Sequence, residues 1–204
     1  MKTSLLLTLV LSAVAPLLGA DDKPACCRVE AASDDSVAAA ELPPRSLYQL
    51  EAVWTDDAGR EAPLAALRGS PVVLTMFFAR CEYACPVLVH DMRKLRDSLP
   101  AELRDRARFV LVTFDVARDT PEALRAFRTA QALDAQWTLL RGSPAATQTL
   151  AMLLGVRFRE EANGQFGHSN LITILNADGE VVHQRTGLRD GLDAAAQAIV
   201  AAAK

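Results

Sequence analysis

The stretch Pro71 to Leu99, PVVLTMFFARCEYACPVLVHDMRKLRDSL, constrains the chain more than any other. It opens with an apolar run, Val72 to Phe78, rich in β-branched and aromatic residues, the pattern of a buried strand. It closes with Val87, Leu88, Met92, Leu95 and Leu99 at spacings of three and four, the pattern of an amphipathic helix. Cys81 and Cys85 stand at the joint, with Pro86 directly after them. Proline is favoured in the first helical turn, where its missing N–H costs nothing. Cys85 is therefore expected at or just before a helix N-terminus, where the macrodipole and free N–H groups favour thiolate over thiol. Two thiols four residues apart, one of them acidified, form either a redox pair or a clamp for a soft metal.

Around this joint the chain reads as alternating strands and helices. Ser46 to Thr55 predicts a strand, Asp56-Asp57-Ala58-Gly59 a turn, and Leu64, Leu67 and Gly69 a short helical turn. Arg108 to Asp115 predicts a second buried strand. Thr120-Pro121-Glu122 has an N-cap, a proline and a first-turn acid, and Ser143-Pro144 repeats the helix start for a helix to about Leu154. Gln136 to Leu140 predicts a short strand, and Gly155 to Gly167 a loop or irregular hairpin turning at Asn163-Gly164. Leu171 to Asn176 and Val181 to Thr186 flank Ala177-Asp178-Gly179 as a β-hairpin, and Asp190 to Ala203 is a closing helix. Parallel strands with crossover helices, then an antiparallel hairpin, describe an α/β sandwich with a central mixed β-sheet flanked by helices. A cysteine pair at the end of the first central strand fits its thioredoxin-like version, here with an extra N-terminal β-hairpin. In open sheets ligands sit at the carboxyl ends of strands, where Cys81 and Cys85 fall.

Three regions follow along the chain. Residues 1–20 have a lysine, an apolar centre and a small-residue end, as in a secretory signal peptide; an uncleaved membrane anchor is the alternative. Residues 21–45 form a polar, alanine-rich tether holding Cys26 and Cys27, an adjacent pair suited to accessory thiol chemistry. Residues 46–204 form the domain. Export predicts the periplasm or cell envelope of a Gram-negative bacterium, where a cysteine pair can be oxidised. The net charge of −3, with both signs interspersed, implies no basic surface for nucleic acid. Four cysteines are too few for a disulfide-built fold of 204 residues. Nothing demands more than a monomer.

The chain has three histidines. His90 falls about one and a half turns into the helix after Cys85, and His183 in the last strand; both read as ordinary helix and strand residues. His168 stands in Gly164-Gln165-Phe166-Gly167-His168-Ser169, just before a buried strand. In a thioredoxin-like fold that loop lies beside the cysteine turn, so Cys81, Cys85 and His168 can converge. Structural zinc wants four protein ligands, and no fourth is evident. Two thiolates suit copper(I), and an added imidazole suits copper(II). Copper is the best match on ligand chemistry, though not a unique one.

These residues resemble the Sco/SenC family. The resemblance rests on Cys81-Glu82-Tyr83-Ala84-Cys85-Pro86, on Thr113-Phe114-Asp115-Val116-Ala117-Arg118-Asp119-Thr120-Pro121 and on Gly167-His168-Ser169, in that order. It implies a thioredoxin-like domain that binds copper through Cys81, Cys85 and His168. It also implies a role in assembling the binuclear copper centre of cytochrome c oxidase, as a copper chaperone, as a thiol reductant of the target, or both, with the copper-site subunit or another periplasmic chaperone as partner. Asp115 and Asp119 match the family's paired aspartates, for which partner docking or tuning of the site stands beside plain turn and helix-start roles. The pattern departs from the family at Arg80, Val116 and Gly167. An envelope thiol–disulfide oxidoreductase, cycling Cys81 and Cys85 without metal, is the alternative.

Overall fold

Two helices begin as their sequence prescribes. Thr120 and Ser143 accept hydrogen bonds from Ala123 N at 3.2 Å and Ala146 N at 3.1 Å, and each is followed by the helix's first proline. Each cap stabilises its helix by about 1 kcal/mol. The protein is described from a computed structural model over residues 41–203. In order it has β1 (Trp54–Asp56), β2 (Glu61–Ala62), β3 (Val72–Phe77), α1 (Ala84–Ser98), α2 (Ala101–Arg106), β4 (Arg108–Thr113) and α3 (Pro121–Ala130). There follow β5 (Trp137–Arg141), α4 (Pro144–Leu154), β6 (Phe158–Glu160), β7 (Phe166–His168), β8 (Leu171–Leu175), β9 (Val181–Thr186) and α5 (Leu192–Ala202).

Seven strands form one mixed sheet in the order β2-β1-β5-β4-β3-β8-β9. Strand β3 is at its heart, parallel to β4 and antiparallel to β8. All residues of β3 and β8 are buried, as a strand covered on both faces requires. The β1–β2 hairpin adds the expected N-terminal extension beside β5.

This topology positions the site. The carboxyl end of β3 leads into the cysteine loop. Parallel pairing of Phe77 with Thr113 brings the end of β4, and so Asp115 and Asp119, to the same place. Antiparallel pairing of Thr75 with Ile172 brings the start of β8 there too, with His168 just ahead of it. Thr75 Oγ1 donates to the Leu171 carbonyl at 2.7 Å and pins that register.

Some expectations are corrected. The Ser46–Thr55 segment is not one strand. Leu47–Gln49 is a 3₁₀ turn, because Ser46 Oγ accepts from Tyr48 N at 3.1 Å and offers the backbone a local alternative to sheet pairing. In α1 the inward face is Cys85, Leu88, Val89, Met92 and Leu95, with Val87 only partly covered. Helix α2 was not foreseen; it starts after Pro100 and buries Leu103. Nor was a buried ion pair between Asp91 of α1 and Arg185 of β9, whose side chains are 0% and 3% exposed. Removing one partner of such a pair leaves a buried charge and costs about 3–5 kcal/mol.

Residues 1–20, residues 21–40 of the tether and the Cys26–Cys27 pair lie outside the described residues. Among the described residues no helix is long and apolar enough to cross a membrane.

Candidate metal centre

The cysteine joint folds locally around one sulfur. Helix α1 starts at Ala84, so Cys85 is its second residue and points into the core at 0% exposure. Tyr83, at the N-cap position, makes no side-chain cap. The Cys81 sulfur takes that role, accepting the Cys85 backbone N–H at 3.2 Å. A helix N-terminus does therefore face a sulfur, but it is that of Cys81 rather than Cys85.

The two thiols differ accordingly. Cys81, partly exposed, is brought down to about 4. The leading cause is the hydrogen bond it receives from the Cys85 thiol; burial opposes this, and the His168 ring and the N–H groups of Cys85 and Tyr83 add to it. Cys85 is pushed up strongly, first because that same bond keeps its proton in place, then by burial and by the negative charge of Cys81 and Asp119. The pair thus holds one proton, on Cys85. The sequence-based expectation of an acidified Cys85 is corrected on this point. The helix-end effect was rightly anticipated, but the residue inside the first turn is buried, whereas the one four positions earlier receives the helix's N–H groups.

The third member comes from the β6–β7 hairpin. This hairpin stands apart from the main sheet, pairing Phe158 with His168 and Glu160 with Phe166. Its turn closes through Gly164 N to the Glu161 carbonyl at 2.9 Å, with Gly164 at φ 74°, a conformation glycine adopts freely. The His168 ring packs against Phe114 and Phe78 at centroid distances of 5.2 and 5.9 Å. Its Nδ1 lies 3.1 Å from the Ser169 carbonyl, which fixes the ring with Nδ1–H donating and leaves Nε2 for the cysteines. Burial lowers the histidine's basicity, but the Cys81 sulfur and the Ser169 carbonyl outweigh it, and its pKa is raised.

The donor atoms of Cys81, Cys85 and His168 all lie within 4.8 Å of one another. Among the described residues this is the one such group of His, Cys, Asp and Glu. Two sulfurs and one imidazole nitrogen, converging without a carboxylate, suit a soft or borderline metal and not a hard one. His90 is exposed on α1 and His183 lies on β9; neither joins the group.

Asp115 and Asp119 are 2% and 1% exposed. Asp119 accepts from Ala79 N at 2.9 Å and from the Thr113 hydroxyl, tying the start of the cysteine loop to the end of β4. Burial raises its pKa. Asp115 accepts from Arg80 at 3.2 Å and Arg118 at 3.1 Å, and Arg118 continues to Glu160. Sequence reasoning gave Arg118, Glu160, Phe158 and Phe166 no part here. The Asp115–Arg118 spacing of three and the place of Phe166 two residues before His168 were the available signs; Phe158 and Glu160 come near only through the hairpin pairing.

A family model described as SCO1/SenC matches residues 46–204. A protein of Stutzerimonas stutzeri described as copper-binding is 33% identical over 154 residues, covering 72% of this chain and 74% of that protein. The crystal structure of a SCO1/SenC family lipoprotein from Bacillus anthracis superposes with a TM-score of 0.67 at 23% identity, covering 74% of this chain and 92% of that one. Bradyrhizobium japonicum ScoI with copper bound gives a TM-score of 0.62 at 19% identity, covering 74% and 96%. The thioredoxin-like sandwich expected from the sequence is the fold of these neighbours.

Proposed function

The chain belongs to the SCO1/SenC family, and on that premise we propose that it is an extracytoplasmic copper carrier that loads a copper centre of cytochrome c oxidase. The observation that carries the reading is the convergence of Cys81, Cys85 and His168, with donor atoms within 4.8 Å. The copper-binding description of the Stutzerimonas stutzeri relative and the copper-bound ScoI structure support the choice of metal. The signal-like residues 1–20 support export to the periplasm or envelope.

Copper is the cargo, and the site's protonation suits its capture. Cys81 already offers a thiolate at the surface. Cys85 surrenders its proton as the second sulfur binds. His168, held by Ser169 and the phenylalanines, presents Nε2 as the donor that copper(II) favours and copper(I) does not require. Release proceeds by exchange of these sulfurs for ligands of the receiving protein, the copper-site subunit of the oxidase or another periplasmic chaperone.

The test is a copper titration of the reduced chain beside His168→Ala. Copper(I) is followed by competition with a chromophoric chelator, and copper(II) by its sulfur-to-metal absorption band. One copper(I) per domain in both proteins, with the copper(II) band lost in the variant, is the expected outcome. Absence of tight binding in the wild type would overturn the reading.

The asymmetry of the thiols also favours a second activity, reduction of a partner's disulfide. The Cys81 thiolate attacks one sulfur of the partner's disulfide, which breaks that S–S bond, releases the other sulfur as the first partner thiolate and forms a mixed disulfide. Cys85, losing its proton, then attacks Cys81, which releases the second partner thiolate and closes a Cys81–Cys85 disulfide. Two electrons pass from the pair to the partner. Full reductase activity in His168→Ala would separate this chemistry from copper(II) binding.

A further inference from the structure

Arg80 stands directly before Cys81, and its guanidinium reaches across two other segments. Its Nη2 donates to Asp115 Oδ2 at 3.2 Å and to the Gly164 carbonyl at 3.1 Å. Asp115 lies in the turn after β4, and Gly164 at the tip of the hairpin that ends in His168. The other Asp115 oxygen takes Arg118 Nη1 at 3.1 Å, and Arg118 reaches on to Glu160 in β6. The hairpin is thus held at its tip through Arg80 and along β6 through Arg118, and both holds converge on one buried carboxylate.

Such holds are needed because the hairpin pairs with no strand of the seven-stranded sheet. Its aromatic contacts, made by Phe158, Phe166 and His168, have preferred ring geometries but do not reach the turn at Gly164. Hydrogen bonds to a carbonyl and a carboxylate give direction. Of the two arginines, Arg80 is the one that belongs to the cysteine loop itself.

We propose that Arg80 is a positioning residue that sets where His168 stands relative to Cys81 and Cys85, and so favours binding by three ligands over binding by two sulfurs. The proposal rests on the copper reading above. It makes Arg80 selective between oxidation states, since copper(I) is served by the two thiolates and copper(II) calls on the histidine. Loss of Arg80 leaves Asp115 paired with Arg118, so the fold is expected to survive the substitution.

The test compares the full-length wild type, Arg80→Ala and Arg80→Lys. Copper(I) affinity, copper(II) affinity with its sulfur-to-metal band, and amide hydrogen exchange of the metal-free protein are measured for each. Arg80→Ala is expected to weaken copper(II) about 10-fold, the low end of what losing a group bonded directly to a ligand costs, because Arg80 acts through the hairpin at Gly164, and to shift the band. Copper(I) affinity stays within a few-fold. Arg80→Lys recovers part of the copper(II) affinity, because its ammonium can still donate to both oxygens. In metal-free Arg80→Ala, the amides of Glu161 and Gly164 exchange faster and those of β8 do not. Unchanged copper(II) affinity, an equal fall for both oxidation states, or unchanged hairpin exchange would each overturn the proposal. A wild type that takes up no copper defeats the copper reading by itself. The exchange data then still decide the point: faster hairpin exchange sustains Arg80 as the hold on His168, and unchanged exchange ends it.

Discussion

The cysteine loop and the histidine hairpin meet at one site but are built on different terms. The loop grows out of β3, a fully buried central strand, and feeds into α1, whose Cys85 is part of the core. Its geometry is fixed by the sheet ladder and by helix packing. The hairpin has three-residue strands, pairs only with itself within the sheets, and leans on the main body through ring contacts and a few arginine bonds. Two of the three candidate ligands are therefore anchored directly by strand β3 and helix α1, and the third through the register of β8 and the side chains that hold the hairpin. A metal that needs only the sulfurs depends on the first region, and one that needs the imidazole depends on both.

The sharpest way to break the comparison is Cys85→Ser. Copper(I) binding is expected to be lost, well beyond the roughly 10- to 100-fold that an outer-shell change costs, because one of two soft ligands is gone. Chelator competition measures it. Retained affinity would mean the rigid region does not carry the metal.

Next in size is Phe114→Ala. This buried ring touches Phe158 at 4.9 Å, Phe166 at 5.1 Å and His168 at 5.2 Å, so it joins the hairpin to the body. Its loss should destabilise the domain by about 3–5 kcal/mol in denaturant unfolding. In the protein that stays folded, copper(II) affinity should fall more than copper(I) affinity. An equal fall would show that the two regions are one mechanical unit.

The smallest effect is a pH profile. With Cys81 at about 4, its thiolate fraction is nearly complete by pH 6 and cannot rise further at pH 8. An ordinary thiol near 8.5 would gain thiolate about tenfold per unit over that range. Alkylation of Cys81 in the metal-free reduced protein, followed by mass spectrometry, should therefore be nearly flat from pH 6 to 8. Cys85, raised and buried, should react last. A Cys81 rate that climbs tenfold per unit would return the acidic role to neither sulfur.

The sequence by itself determined the parts that short stretches of chain encode. Val72 to Phe78 read as a buried strand, and Val72–Phe77 is one; Thr120-Pro121 and Ser143-Pro144 read as helix starts, and Asn163-Gly164 marked the turn before His168. Those signals are local: side-chain shape, a missing N–H, a permitted backbone angle. The three candidate metal ligands were legible for a related reason, since thiols and imidazoles are scarce in this chain and the resemblance to a known fold class places their segments together. Tertiary structure alone decided which thiol is acidic, because that depends on where Cys85 is buried and on which sulfur meets the α1 N–H groups and His168. It alone joined Arg80 to Gly164, 84 positions apart, and turned Asp115 and Asp119 inward to hold the loops. Charge and hydrogen bonding act through space over a few ångströms, so only the folded chain fixes which groups they connect.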